Sequence, residues 1–289
     1  SYVDEVNARG KGVVRIQVMG GPEAIKMFEQ PNAVRDGVVD MVHTPGSFYG
    51  AAVPEIDAMV ASTKNATEAR ANGGTAMMDA AHQKRFNVKY LAWIDSGVGF
   101  NIFTVNEPKF RSSDGVLDMS GVKMRDNPIY TAFLKSLEAT TSPMPSTEVY
   151  GALEKGVIDA APWTTIGITE LKWDKFLNYM VEPSFYSTDL GIIVNLDRWN
   201  GLSAEAKAIL QDVAIEWEQK SHNDRKADIS KYKAAYKEGG MDFVSHSDSG
   251  GANYLKLAYD SVWARATERM TDKGDGGDVA KLRALYAPE

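Results

Sequence analysis

A chain of 289 residues in which 44% of the side chains are apolar and 25% charged has a globular composition, long enough for two hydrophobic cores. Its 39 acidic and 32 basic side chains leave a net charge of −7 with no concentrated run of Lys and Arg, which argues against nucleic acid as a partner. Cysteine is absent, so disulfides, thiolate metal sites and cysteine nucleophiles are excluded, and no stretch approaches the ~20 apolar residues of a membrane-spanning helix.

In chain order, residues 1–10 read as the last turns of a helix stopped by Gly10, followed by a strand with Val14, Ile16 and Val18 on one face. The turn Gly20-Gly21-Pro22-Glu23 leads into a predicted helix over 24–35. The phrase Ala33-Val34-Arg35-Asp36-Gly37-Val38-Val39-Asp40-Met41 then reads as a helix end closed by glycine, with a buried strand over 38–43 directly after it. A loop through Pro45, Gly46, Phe48, Tyr49 and Pro54 precedes a helix over 66–85, a strand over 88–94 and an extended segment over 100–105. That last segment is the expected first crossing between lobes.

The plan then recurs, with a strand over 122–125, a helix over 129–137, the turn Pro143-Met144-Pro145 and a helix over 148–155. The phrase Ala152-Leu153-Glu154-Lys155-Gly156-Val157-Ile158-Asp159-Ala160 repeats the first corner 119 positions on, with its strand expected over 157–160. Two α/β lobes of similar plan follow from such a repeat, each with a mostly parallel sheet and with a cleft between them that suits a small molecule. A strand over 190–194 crosses back, and Ser203 caps a long helix running to about residue 237. Such a helix is ~50 Å long and can span both lobes.

Arg125 ends a strand just before the turn Asp126-Asn127-Pro128, where an α/β lobe faces its crevice. It is either a surface arginine paired with Asp126 or a guanidinium fork for a carboxylate. Trp163 ends the strand after the second corner, as core or as a cleft wall, and Phe48 and Tyr49 follow the first corner in the equivalent way. The histidines His43, His82, His222 and His246 are scattered, and no nucleophile elbow, phosphate loop or dinucleotide fingerprint occurs. The run Asp272-Lys273-Gly274-Asp275-Gly276-Gly277-Asp278 lacks the closing glutamate of a calcium loop and reads as a solvated turn.

Between residues 121 and 164 the chain resembles the dicarboxylate-type substrate-binding proteins of tripartite ATP-independent periplasmic (TRAP) transporters. The similarity rests on Gly121-Val122-Lys123-Met124-Arg125, on the Pro-rich turn, and on Glu148-Val149-Tyr150-Gly151-Ala152-Leu153 with Gly156 and Asp159. The resemblance implies a two-lobed periplasmic-binding-protein fold of type II-like plan, with a hinge and a lobe-spanning helix. It places lobe I at 1–99 plus about 190–225 and lobe II at about 100–189 plus about 226–289. Members begin with a strand and the first turns of a helix ahead of the segment matching Ser1, and both are expected to be missing here.

The resemblance further implies a periplasmic monomer, not an enzyme, that captures an organic acid and hands it to integral membrane subunits. Arg125 matches the family's carboxylate partner. Asn101, Ser146 and Pro45 fall where relatives place further contacts. Metal-bridged relatives carry an acidic residue before the tryptophan, and here that position is Pro162, so no metal and no cofactor are expected. With Phe48, Tyr49 and Trp163, this implies a monocarboxylate with an apolar or aromatic body. The alternatives are an ABC-type solute binder, a sensor module of the same fold, or, at greater distance, an enzyme.

Overall fold

In a computed structural model that describes residues 1–287, the two repeated corners share one backbone design. Gly37 and Gly156 both take the left-handed conformation, at φ 73° and 62°. In each copy the valine after the glycine donates its N–H to the carbonyl five residues back, Val38 to Ala33 and Val157 to Ala152, both at 2.9 Å. This closes the helix by satisfying a carbonyl left over at its end. The strands begin later than expected, at Met41 and Ala160, and Val38 and Val157 stay 73% and 51% exposed. Leaving a left-handed residue, the chain first passes over the helix end and only then reaches the sheet.

The strands are β1 (Met41–Pro45), β2 (Val88–Trp93), β3 (Phe100–Thr104), β4 (Lys109–Phe110), β5 (Leu117–Asp118), β6 (Lys123–Asp126), β7 (Thr140–Pro143), β8 (Ala160–Thr164), β9 (Tyr179–Glu182), β10 (Leu190–Asn195) and β11 (Asp242–Ser245). The helices are α1 (Tyr2–Arg9), α2 (Gln30–Arg35), α3 (Asp57–Val60), α4 (Ala66–Ala71), α5 (Gly74–Phe86), α6 (Thr131–Ser136), α7 (Ser146–Glu154), α8 (Leu196–Gly201), α9 (Ala204–Glu238), α10 (Asp248–Asp272) and α11 (Val279–Tyr286).

Lobe I is built on a three-stranded sheet of order β1-β10-β2, and lobe II on a six-stranded sheet of order β11-β9-β3-β8-β6-β7. The expectation of mostly parallel sheets fails in lobe I, where β10 runs antiparallel to both neighbours. In lobe II the ladders among β7, β6 and β8 are parallel, while β3 is antiparallel to β8 and β9. The physical reason is the same in both lobes: β10 and β3 arrive from the other lobe and insert against the local direction.

Those two crossings lie side by side. Ile94 donates to Leu190, Thr188 to Val98, and Phe100 and Phe185 exchange both hydrogen bonds at 2.8 Å. Trp93 Nε1 donates to the Thr188 carbonyl at 2.7 Å. The hinge is therefore a hydrogen-bonded pair of crossing segments.

α9 runs 35 residues from the Ser203 cap, packing on α1, α4 and β2 at one end and placing Tyr236 in the lobe II core with Trp173 and Met180 at the other. α10 is a second bridge, packing on α6 of lobe II and on α3 of lobe I. It carries the chain back, so that α11 lies on α3 and α5, among elements of the 1–99 segment rather than with lobe II.

Three expected elements differ. Residues 14–18 form no strand, since no described strand runs beside them, and Ile16 is held instead by both its backbone groups on the Asn7 amide. The helix over 24–35 becomes a 3₁₀ turn at Met27–Glu29 and then α2, because Pro31 is tolerated only in a first helical turn. The helix over 66–85 is two, broken where Gly73 takes φ 93°.

Candidate functional site

The parallel ladders of lobe II bring the carboxyl ends of β6 and β8 together, and these ends carry Arg125 and Trp163. Arg125 is 1% exposed. Its Nε donates to the Met144 carbonyl at 3.3 Å and its Nη1 to the Pro162 carbonyl at 3.2 Å. The guanidinium carbon lies 5.4 Å from the Trp163 ring centre and 5.7 Å from that of Tyr130. Pairing with Asp126 does not occur: successive strand residues point to opposite faces, and the Asp126 carboxylate accepts from the Asn127 N–H at 2.7 Å and the Thr131 hydroxyl at 3.0 Å.

Among the described residues Arg125 thus has carbonyl partners and no carboxylate. Burial pushes its pKa down from the ordinary value, opposed by the nearby Tyr130 hydroxyl and, more weakly, by Asp126. A guanidinium offers five N–H donors, and dipoles alone do not neutralise a buried charge. Such an arrangement has the chemistry to pair with an anion.

Trp163 stands between this group and the lobe II core. Its edge meets the fully buried Trp173 at 4.9 Å and 64°, so Trp173 fills the core and Trp163, half-buried, walls the site. Tyr130 was not singled out from the sequence. It rests on both hinge segments, with ring centres 5.2 Å from Phe100 and 6.2 Å from Phe185, and so connects Arg125 to the hinge. Its only signal is its place, five residues beyond the end of the arginine's own strand motif.

The remaining expected residues divide. Ser146 opens α7, with its hydroxyl 4.0 Å from the sulfur of Met27, which comes from the lobe I side. Phe48 lies in the 3₁₀ turn after β1 and meets Phe28 edge-on at 4.7 Å. Pro45, the last residue of β1, is half-buried opposite Leu190.

Two do not present a free group to the cleft. Asn101 is fully buried, its amide donating to the Val181 carbonyl at 2.8 Å and accepting from the Thr165 hydroxyl at 2.7 Å, so it fixes Thr165. Tyr49 turns into the lobe I core, its hydroxyl 3.0 Å from His82 Nε2 and its ring stacked on Phe86 at 4.8 Å. Neighbours in a 3₁₀ turn point about 120° apart, so Phe48 and Tyr49 cannot share a direction.

A second residue not foreseen is Asp189, at the lobe I end of the hinge. Its carbonyl accepts from Gly46 at 2.9 Å and its carboxylate from the Ser47 N–H, which secures the loop carrying Phe48. Burial raises its pKa to about 6, against the lowering effect of the Ser47 hydrogen bonds. An acidic residue directly before the apolar run 190–194 was the available signal.

Two lobes joined by paired crossings, with a buried cation that has no carboxylate partner among the described residues, have the plan of a small-molecule binding protein. Comparison with known proteins shows the family. The family model described as bacterial extracellular solute-binding protein, family 7 (DctP), matches residues 2–268. A solute-binding protein of Albidiferax ferrireducens is 23% identical over 303 residues, covering 99% of this chain and 83% of that one.

Among solved structures, DctP7 of Bordetella pertussis, an extracytoplasmic solute receptor binding pyroglutamic acid, superposes with a TM-score of 0.80 at 18% identity, covering 99% of this chain and 92% of that one. A TRAP solute-binding protein from an unidentified marine microbe, specific for aromatic acid ligands and solved with 3-hydroxybenzoate, gives a TM-score of 0.79 at 23% identity, covering 98% and 90%. At those identities the two structures establish the fold. The chain belongs to the DctP family of bacterial extracellular solute-binding proteins. It is a transport protein that acts outside the cytoplasm, not an enzyme, and no helix among the described residues is long and apolar enough to cross a membrane.

Proposed function

We propose that this protein captures a small monocarboxylate with an apolar or aromatic body, closes on it about the paired hinge segments, and passes it as a monomer to TRAP membrane subunits. The carrying observation is Arg125, fully buried and without a carboxylate partner among the described residues. A ligand carboxylate supplies the missing charge through two parallel hydrogen bonds. Trp163 and Tyr130 flank that position, and Phe48 with Phe28 adds an apolar surface from lobe I. The aromatic-acid specificity of the marine relative supports the same reading of the body. Closure follows because the acid touches both lobes, and only such differential contact shifts an open-closed equilibrium.

The test is calorimetry with a panel of carboxylic acids, after a thermal-shift screen to find binders. Acids that bind the wild type are expected to lose at least about tenfold in affinity in Arg125→Ala, and their methyl esters to show no binding. Unchanged affinity in Arg125→Ala would sink the assignment.

A further inference from the structure

One part of the site is supplied by no strand. Residues 21–26 form a loop in which the Gly21 N–H is held by the Glu23 carboxylate at 2.7 Å, and the loop ends in the 3₁₀ turn Met27–Glu29. That turn is anchored from behind, where Pro31 and Val34 of α2 are buried and α2 packs on β1 and β10. Its front also reaches the other lobe: Met27 places its sulfur 4.0 Å from the Ser146 hydroxyl of lobe II. Phe28 braces the turn by its edge contact with Phe48 and remains 37% exposed.

Ser146 follows Met144 by two residues, and the Met144 carbonyl holds the Arg125 guanidinium. The floor that receives a carboxylate and the point where Met27 reaches across therefore belong to one short segment of lobe II. With the guanidinium fixed by two carbonyls, a carboxylate bound to it has a fixed address, and Met27 meets lobe II two residues along the chain from one of those carbonyls. Methionine suits that place, since its unbranched thioether adapts its shape to what it closes on.

Resting on Arg125 as the carboxylate anchor, we propose that Met27 is a specificity-determining residue that sets the longest acid the cleft accepts. A ligand within the limit lets Met27 meet Ser146 and the lobes close. A longer one holds the side chain, and with it the lobe, away.

Benzoate, phenylacetate and 3-phenylpropanoate carry one carboxylate on progressively longer bodies, and calorimetry of all three on the wild type, Met27→Ala, Met27→Leu and Arg125→Ala tests the proposal. Wild-type affinity is expected to fall along the series. Met27→Ala should raise the affinity for 3-phenylpropanoate relative to benzoate by at least about fivefold, within the range that one or two methylene-sized changes in a pocket produce. Met27→Leu, which conserves volume, should leave that ratio within about twofold of the wild type. A common factor for all three acids in Met27→Ala, or none, in protein of unchanged melting temperature overturns the proposal while leaving Arg125 in place. Absence of binding by the wild type, or full binding by Arg125→Ala, overturns the reading of the site itself, and this inference with it.

Discussion

Arg125 occupies a position where an uncharged side chain of similar length would suit the empty protein better. An unpaired buried charge is destabilising, and replacing buried ionic groups by apolar ones of similar size is neutral or stabilising by about 1–4 kcal/mol. Arg125→Met is therefore expected to melt higher than the wild type without ligand while losing acid binding, as denaturant titration and calorimetry would show. A less stable Arg125→Met would mean that the guanidinium supports the fold. His82 illustrates the opposite use of a titratable group. It is fully buried, with Nδ1 2.7 Å from the Met78 carbonyl, which requires the N–H there and leaves Nε2 to accept from the Tyr49 hydroxyl. Burial lowers its pKa to about 4, with the Met78 hydrogen bond opposing. Because the unfolded chain takes up this proton near pH 6.5 and the folded one only near 4, the stability from neutral His82 is present above 6.5 and lost as pH falls through that window. The advantage of wild type over His82→Gln should shrink by up to about 3 kcal/mol between pH 7 and pH 4, and a constant difference would show that His82 does not titrate as described.

Glycine has opposite consequences inside a helix and at the corner that closes it. Gly151 lies inside α7 with nothing within 4 Å of a Cβ placed on it, whereas Gly156, equally open, sits at φ 62°. Gly151→Ala should stabilise by about 0.5–1 kcal/mol through a less flexible unfolded chain, and Gly156→Ala should destabilise by about 1 kcal/mol through left-handed strain. Shifts of the same sign would contradict the corner design. Elements of this kind were legible because local chemistry decides them: the glycine corners, the Ser203 cap of α9 and the position of Arg125 all follow from residue types at short spacing. What was not legible depends on distant partners. Whether 14–18 is a strand is decided by a neighbour, not by Val14, Ile16 and Val18. The direction of β10 relative to β1 and β2, the inward turn of Tyr49 toward His82, and the placing of Tyr130 and Asp189 beside the hinge are set by chain that lies far away in sequence. Pro31, by contrast, was visible in the sequence and should have shortened the predicted helix over 24–35.

Across the whole molecule, the lobes are joined by more than the hinge segments. Arg265 on α10 binds both oxygens of Asp57 on α3 of lobe I, at 2.7 and 2.9 Å, and donates to the Pro128 carbonyl of lobe II at 2.8 Å. Arg265 and Asp57 are both buried. Removing one member strands the other, so Asp57→Ala should destabilise the protein by about 3–5 kcal/mol. Denaturation of Asp57→Ala checks this, and a loss below about 1 kcal/mol would show that water reaches the pair.

The place of β10 in the first sheet has a consequence for the order of events in time. β1 and β2 are not paired with each other in the sheet and are joined there through a strand that the chain reaches about a hundred residues after β2. During synthesis the first 99 residues therefore emerge without the strand that completes their sheet, while β6, β7 and β8 can pair among near neighbours. Long-range pairings close slowly because loop entropy must be overcome before any contact rewards it. Pairing of the first sheet thus waits on β10, and β11, the last strand of the chain, then extends the second sheet along β9.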